Sequence, residues 1–238
     1  MAALFAGTSG FAYPSWKPDF YPKDLPAARF LSYYATRLNA VECNYSFRRL
    51  LSEKVVDGWL AATPEGFQFA VKAHMRITHI LRLRGVEEAT KVFLNTLSPL
   101  RAAGRLGPIL FQLPPNLKCS RELLAAFLGE LPKGPRYVME FRHESWFDAA
   151  VLKLLESENV ALCRAETDDM IAPDVLTADF VYFRLRKSEY TPEQRASLAE
   201  QSRGFLAGGR DVFAMFKHED DPAGAAYAVE LLDSGGQA

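Results

Sequence analysis

The sequence has little of several features that would narrow its class at once. Its 238 residues include three cysteines, Cys43, Cys119 and Cys163, without the spacing of a metal site or a disulfide framework. This count predicts reduced thiols and a cytoplasmic location. No run approaches the roughly 18 apolar residues of a membrane span, and residues 1–7 lack the basic and apolar regions of a signal peptide. We therefore expect no membrane partner.

Excess charge of either sign is also missing, and histidine is scarce. The formal net charge is −1, so any preference for anions must be local rather than a property of the whole chain. The four histidines, His74, His79, His143 and His218, show no close helical spacing. The simplest interpretation of the acidic residues after His218 is a solvated turn. We predict neither a metal nor an organic cofactor.

The chain does contain a regular alternation of strand and helix patterns. Short apolar stretches predict eight strands, at residues 4–9, 40–44, 67–72, 108–114, 136–142, 160–164, 180–184 and 212–217. Amphipathic or capped stretches predict helices at 27–37, 52–62, 87–100, 120–131 and 145–155, and from 191 and 221 onward. This order favours an α/β protein with a single (β/α)8 TIM-type barrel over residues 1–238. A doubly wound sheet is disfavoured because residues 7–10 make only a weak glycine-rich phosphate turn.

Polar residues occupy the carboxyl ends of the predicted strands. In the fifth strand, one side passes from Val138 to Glu140 to Arg142, so that it leaves a core and enters a polar site. In six of the other strands, the last polar residues in the corresponding phase are Glu42, Lys72, Gln112, Arg164, Arg184 and Lys217. Because the carboxyl ends of barrel strands meet at one mouth, we expect these side chains to converge. Five cations against two carboxylates predict a positive site for a small anionic ligand.

This polar ring has alternative interpretations. The charges could simply neutralise one another as a buried network, for example through Lys72 with Glu140 or Arg142 with Glu42. In a catalytic site, Glu140 would exchange protons, Lys72 would stabilise developing negative charge, and Glu42 would be the second carboxylate. The forked guanidinium groups of Arg142 and Arg184 suit phosphate or carboxylate. Lys72 could instead form a Schiff base if its neighbours depress its pKa.

Seven motifs carry a resemblance to a known family. They are GTSGF at residues 7–11, VECN at 41–44, FAVK at 69–72, ITH at 77–79, LFQLPP at 110–115, EFRHESW at 140–146 and YFRL at 182–185. Together they resemble the YecE-like family, known as domain of unknown function 72, across nearly the whole chain. The resemblance implies a TIM-type barrel without an established reaction. Its motifs carry over Glu42, Lys72, His79, Gln112, Glu140, Arg142, Trp146 and Arg184.

The chain departs from the family pattern on the last three strands. Arg186 and Lys187 stand where the family commonly has His-Gly, and Lys217 and His218 stand where it commonly has Asn-Asn. The sixth strand ends in Arg164, whereas the family usually has an aspartate nearby. All three differences add positive charge to this part of the chain.

Three functions fit these residues. The favoured one is an enzyme that acts on a small phosphorylated or carboxylated substrate. The candidate substrate-binding residues are Arg142, Arg184, Gln112, His79, His143, Trp146, Asn44 and Lys217. A nucleic-acid-binding protein or phosphodiesterase is the alternative suggested by the basic loop at residues 76–84, and a non-catalytic ligand-binding scaffold is the third. Glycoside hydrolysis is disfavoured because Gln112 and Arg184 occupy strand ends where many barrel glycosidases carry carboxylates.

Overall fold

The strands form two parallel sheets. A computed structural model describes residues 1–167, 171–217 and 221–235. The strands in these ranges are β1 Leu4–Thr8, β2 Ala40–Cys43, β3 Gln68–Lys72, β4 Leu106–Gln112, β5 Tyr137–Glu140, β6 Ala161–Leu162, β7 Arg164–Glu166, β8 Phe180–Leu185 and β9 Asp211–Phe216. One sheet has the order β1-β9-β8-β7 and the other β2-β3-β4-β5-β6. All neighbouring strands within the two sheets pair in parallel.

Helices follow most of the strands. They are α1 Phe30–Tyr34, α2 Glu53–Ala62, α3 Glu87–Thr96, α4 Ser98–Ala102, α5 Arg121–Glu130, α6 Ala149–Ser157, α7 Pro192–Ala207 and α8 Ala223–Gly235. Short turns precede several of them, at Pro14–Trp16, Ala27–Arg29, Tyr45–Phe47, Arg76–Ile80 and Glu144–Trp146. Among the helices of the described ranges, none is long and apolar enough to span a membrane.

Local sequence chemistry accounts for several helix boundaries. Ser52 and Ser120 cap α2 and α5 by accepting hydrogen bonds from backbone N–H groups. Thr191 and Gln194 form a capping box at the start of α7. The predicted helix at 87–100 divides into α3 and α4, because Pro99 at the start of α4 has no N–H to continue the hydrogen-bond ladder.

The parallel α/β architecture is confirmed, but the hydrogen-bonded strands do not form one continuous sheet. The predicted sixth strand is divided: β6 pairs with β5 in one sheet, and β7 pairs with β8 in the other. On the opposite side, β1 and β2 belong to different sheets. The two sheets therefore meet along two lines, one between β6 and β7 and one between β1 and β2.

Side chains join β1 to β2 where the backbone ladder does not. The amide of Asn39 accepts from Ala6 N at 2.9 Å and donates to Leu4 O at 2.8 Å. The hydroxyl of Tyr34 accepts from the backbone N of Thr8 at 2.8 Å and donates to Ala40 O at 2.9 Å. Gly7 permits this close approach, because a Cβ there would collide with the carbonyl oxygen of Ala40.

Alternating strand residues fill two cores. One cluster, between strands and helices, contains most of the buried aromatic and aliphatic side chains. The other lies between the two sheets and takes members from both, among them Ala40, Ala70, Leu110, Val138, Cys163, Tyr182, Phe213 and Met215. In β5 the inner cluster contains Val138, as predicted, and the charged Glu140 follows it at the carboxyl end of the strand.

Candidate functional site

The candidate site lies at the carboxyl ends of β2, β3, β4, β5 and β8. Side chains on the inner face of a strand recur every two residues. Five of the strands that supply an apolar residue to the inner cluster carry a polar residue two positions further along. The pairs are Ala40 and Glu42, Ala70 and Lys72, Leu110 and Gln112, Val138 and Glu140, and Tyr182 and Arg184. In the β4–β5 ladder, Gln112 lies directly beside Glu140.

Arg184 is the centre of this polar layer and joins the two sheets. Its guanidinium donates to both carboxylate oxygens of Glu42, at 2.8 to 3.2 Å. It also donates to Glu140 Oε2 at 2.9 Å and to Gln112 Oε1 at 3.2 Å. Burial alone would lower the pKa of Arg184, but the neighbouring Glu140 and Glu42 raise it. The guanidinium therefore remains charged.

Glu42 is fully buried and held in its ionised form. Tyr182 donates its hydroxyl to Glu42 Oε2 at 2.8 Å, in addition to the bonds from Arg184. Burial raises the pKa of Glu42, but the charge and hydrogen bonds of Arg184 and the hydroxyl of Tyr182 outweigh it and lower the pKa from 4.5 to about 2. At neutral pH this carboxylate is an anchor for Arg184 rather than a proton carrier.

Glu140 is buried as well, but its second oxygen is less well satisfied. Arg142 Nη2 lies 2.5 Å from Glu140 Oε1. Despite this short distance, Oε1 accepts no hydrogen bond from the described residues. The N–H bonds of Arg142 Nη2 are therefore poorly aligned with Oε1. Arg142 keeps one fifth of its side chain exposed, whereas Arg184 is 3 % exposed. The outer arginine is thus the more accessible of the two.

Lys72 is the amine of the layer. Its Nζ donates to Gln112 Oε1 at 2.8 Å and lies 4.1 Å from the ring centroid of Phe47. Burial and the charge of Arg184 lower the pKa of Lys72 from 10.5 to about 8, although Glu42 and Glu140 act in the opposite direction. Gln112 Oε1 consequently receives hydrogen bonds from two cations, Lys72 and Arg184.

These side chains face a cavity of about 420 Å³. Its walls are Asn44, Tyr45, Phe47, Arg48, Arg49, Lys72, Gln112, Arg142, Arg184 and Arg186. Six of the ten are cationic, and within the described ranges no carboxylate lines it. Glu42 and Glu140 do not line it and form ion pairs with two of its arginines, Arg142 and Arg184. The cavity is positive although the protein as a whole is nearly neutral.

Two other predicted site residues lie at or beside this cavity. Asn44 lines it and donates from Nδ2 to Ser9 O at 3.3 Å, while its buried Oδ1 has no hydrogen-bond partner in the described chain. His79 is not part of the wall, but its ring packs edge-to-face on Phe47 at 4.9 Å. Partial burial is the main cause that lowers the pKa of His79, and the positive charges of Lys72 and Arg82 lower it further. The neutral imidazole is therefore favoured.

Three predicted substrate-binding residues lie away from the cavity. Trp146 is fully buried, donates from Nε1 to Leu117 O at 2.7 Å and stacks on Phe141. His143 caps the turn Glu144–Trp146 by accepting from Ser145 N at 3.2 Å. Lys217 follows the end of β9 and lines a different, smaller cavity of about 60 Å³.

The predicted polar ring is corrected at Arg164. The small side chains Ala161, Cys163 and Ala165 occupy the inner face, so Arg164 points outward. There it forms an ion pair with Asp174 and lies over the ring of Phe205, 4.8 Å from the centroid. The proposed pairings are corrected too, because Arg142 contacts Glu140 and Arg184 contacts Glu42. His218 lies outside the described residues.

The predicted ring omits several cavity residues. Arg48 and Arg49 are exposed residues directly after the turn Tyr45–Phe47, and their sequence signal is a pair of adjacent arginines a few residues after a strand. Arg186 comes two residues after Arg184 and keeps its phase beyond the end of β8. No grouping of three or more His, Cys, Asp or Glu suited to a metal occurs in the residues described.

Comparison with known proteins identifies the relatives of this chain. The family model described as "Protein of unknown function DUF72" matches residues 5–238. The chain belongs to the DUF72 family. Among solved structures, a DUF72 family protein from Thermotoga maritima has a TM-score of 0.84 and 26% identity, with 97% of this chain and 98% of that chain covered. An Enterococcus faecalis DUF72 protein shares the fold with a TM-score of 0.80, at 19% identity and with 99% and 96% covered.

Curated DUF72 relatives match over part of their length. UPF0759 protein YunF of Bacillus subtilis is 31% identical over 139 residues, which are 54% of this chain and 48% of that protein. UPF0759 protein YecE of Escherichia coli K12 is 36% identical over 119 residues, 49% of this chain and 43% of that protein. The matched regions span about half the length of these relatives. The resemblance to the YecE-like family is thereby confirmed.

Proposed function

We propose that the two sheets form the wall of a single (β/α)8-type barrel, and that its carboxyl-end mouth binds a small phosphorylated or carboxylated ligand. The observation that carries this proposal is the cavity of about 420 Å³ with six cationic side chains in its wall. A low-dielectric cleft of this kind concentrates the potential of its charges on a bound anion. Its volume suits a small molecule.

The charges beneath the cavity support a binding site over a purely structural network. Arg184 is fixed by Glu42, Glu140 and Gln112, so it presents a rigid positive charge. Arg142 has one badly aligned contact with Glu140 and partial exposure, which leaves its forked guanidinium suited to a phosphate or carboxylate. Asn44 adds a polar side chain to the same wall.

An enzymatic role is part of the proposal. Glu140 is the proton-exchanging carboxylate, because Glu42 is locked by Arg184 and Tyr182 with a pKa near 2. Lys72, next to Gln112 in the same cavity, stabilises negative charge that develops on the substrate. Glu42 positions Arg184 and does not exchange protons, which changes the role predicted from the sequence.

Calorimetric titration with inorganic phosphate and with malonate tests the binding site. We expect saturable binding that weakens with salt and falls at least about tenfold in Arg142→Ala and Arg49→Ala, a loss of about 1.4 kcal/mol for each tenfold. The matched control is Arg37→Ala, which removes an exposed arginine that does not line the cavity. Equal losses in all three variants, or no binding by the parent protein, would refute the proposal.

A second candidate function, binding of a single-stranded nucleic acid, is favoured by the outer wall of the cavity. Tyr45 is 50 % exposed there and stands close in sequence to Arg48 and Arg49. An exposed aromatic ring beside cations is the arrangement on which unpaired bases stack. A labelled oligonucleotide should then bind with an affinity that falls steeply with salt and drops in Tyr45→Ala. Absence of binding at low salt would eliminate this candidate.

A further inference from the structure

The amine of Lys72 contacts different groups from the amines of two ion-paired lysines in the described chain. Lys133 and Lys187 each form an ion pair with a glutamate, at 2.7 and 2.9 Å respectively. The Nζ of Lys72 instead contacts a neutral amide oxygen, Gln112 Oε1, and an aromatic ring. No carboxylate of the described residues lies within ion-pairing distance of it. The nearest acidic groups, Glu42 and Glu140, are both taken by Arg184.

This setting raises the fraction of Lys72 that carries an uncharged amine. Burial is the largest cause that lowers the pKa of Lys72 to about 8, and the charge of Arg184 adds to it. About one molecule in ten then carries an uncharged Lys72 at pH 7, whereas an ordinary lysine is almost wholly protonated. A neutral amine with a free electron pair is a nucleophile toward carbonyl carbon.

The cavity also has the means to hold a substrate against this amine. Arg142, Arg184 and Arg186 line the same space as Lys72. A guanidinium group binds carboxylate or phosphate through two parallel hydrogen bonds, which fix the rest of a small molecule in orientation. Gln112 Oε1 accepts a hydrogen bond from the amine of Lys72 and thereby positions it in this cavity.

We infer that Lys72 is a catalytic nucleophile that forms an imine with a small aldehyde or ketone bearing a phosphate or carboxylate group. This inference rests on the proposed anion binding and names the substrate class of the same site. A non-catalytic scaffold, or an enzyme that uses Lys72 only as a fixed positive charge, would not need a carbonyl group in its ligand.

The covalent step balances without a further reactant. The lone pair of the neutral amine attacks the carbonyl carbon, the carbonyl π pair moves to oxygen, and a proton passes from nitrogen to oxygen to give a carbinolamine. The hydroxyl then takes a proton and leaves as water while the nitrogen lone pair forms the C=N bond. The resulting iminium cation withdraws electrons from the adjacent carbon, which weakens a C–H, C–C or C–carboxylate bond there. Hydrolysis reverses the step and restores the amine.

Reductive trapping tests the inference with two defined probes. The protein is incubated with pyruvate or with glycolaldehyde phosphate, reduced with borohydride, and analysed by intact mass and peptide mapping. We expect a single adduct on the peptide that contains Lys72, at a yield at least about tenfold above that of any surface lysine. Inorganic phosphate should suppress it, since it would compete for the same arginines.

Two variants distinguish an imine from nonspecific labelling. Lys72→Arg keeps a positive charge and should abolish the adduct, whereas Lys133→Arg removes a lysine that is 81% exposed and should leave the adduct unchanged. Label spread over many lysines, or the same label in Lys72→Arg, would overturn the inference. No adduct with either probe, while phosphate still binds in calorimetry, would overturn imine formation alone. Loss of both signals would refute the proposed anion site as well.

Discussion

Two layers on the inner faces of the same strands differ sharply in chemistry. The lower layer is apolar and includes Ala40, Leu110 and Val138, while the upper layer, one inward-facing position further along, carries Glu42, Gln112 and Glu140. Both layers are largely buried. The lower layer is stabilised by removal of apolar surface from water. The upper one depends on the ion pairs of its buried carboxylates, Glu42 and Glu140, with Arg184.

The difference indicates what each layer contributes to the molecule. Truncation of an apolar side chain leaves a cavity, and the neighbouring residues are otherwise undisturbed. Removal of one charged partner leaves the other charge buried without compensation, so the effect spreads through the layer. We therefore expect the upper layer to be coupled and pH-sensitive, and the lower layer to be neither.

The largest expected effect on stability is that of Arg184→Leu. The variant leaves Glu42 and Glu140 buried without the guanidinium that contacts both, and should lose about 3–5 kcal/mol of unfolding free energy. Urea denaturation at pH 7 measures it. The control is Lys133→Ala, which breaks an exposed pair with Glu158 and should cost less than about 1 kcal/mol. If Arg184→Leu lost no more unfolding free energy than this control, the charged layer would not depend on its ion pairs in the way proposed.

A smaller loss of stability than that of Arg184→Leu is expected when the pH is lowered. The pKa of Glu42 is lowered in the folded state, so its contribution to stability is fully present above the unfolded value of 4.5 and is lost as the pH falls toward about 2. Between pH 7 and pH 3 this group should account for roughly 2 kcal/mol of lost stability. We expect that the difference in unfolding free energy between the parent protein and Glu42→Gln shrinks over this interval.

The apolar layer supplies the control for this measurement. Leu110→Ala should destabilise the protein by a similar amount at both pH values, because no titratable group is removed. A Glu42→Gln difference that stays constant between pH 7 and pH 3 would contradict the assignment of Glu42 as an ion-paired anchor.

The smallest effect on stability is expected from Lys72→Met. The folded pKa of about 8 lies below the unfolded 10.5, so protonated Lys72 disfavours folding below pH 8, and this penalty disappears as the pH rises through 10.5. Its removal at pH 7 should leave stability within about 1 kcal/mol of the parent or raise it slightly, while phosphate binding falls. The exposed Lys91→Met is the matched control for binding. A large loss of stability would assign Lys72 to the structural network.

Much of the upper layer was predictable because strand periodicity is short and regular. Glu42, Lys72, Gln112, Glu140 and Arg184 all keep the inward phase of their strands and meet at one end. The turn and helix caps followed from local chemistry in the same way. Strand periodicity and helix caps depend on residues that are only a few positions apart in the sequence. They can therefore be predicted without knowledge of the tertiary structure.

The prediction was wrong where both faces of a segment are apolar. Around Arg164 the sequence offers small residues on one side and Leu162 with Val160 on the other, and neither pattern marks the interior. The narrow space between the sheets decides in favour of Ala161 and Cys163 there, which turns Arg164 outward. Lys217 keeps the inward phase in sequence, but β9 ends before it.

The sequence by itself determined the alternation of strands and helices, the inward phase of most charged strand ends and the family to which the chain belongs. Tertiary structure alone decided which charges pair, that Arg184 links the two sheets through Glu42 and Glu140, and that Arg48, Arg49 and Arg186 join the cavity wall. The physical reason is distance. Periodicity acts between neighbours along the chain, whereas an ion pair between residues 142 positions apart exists only after the sheets have come together.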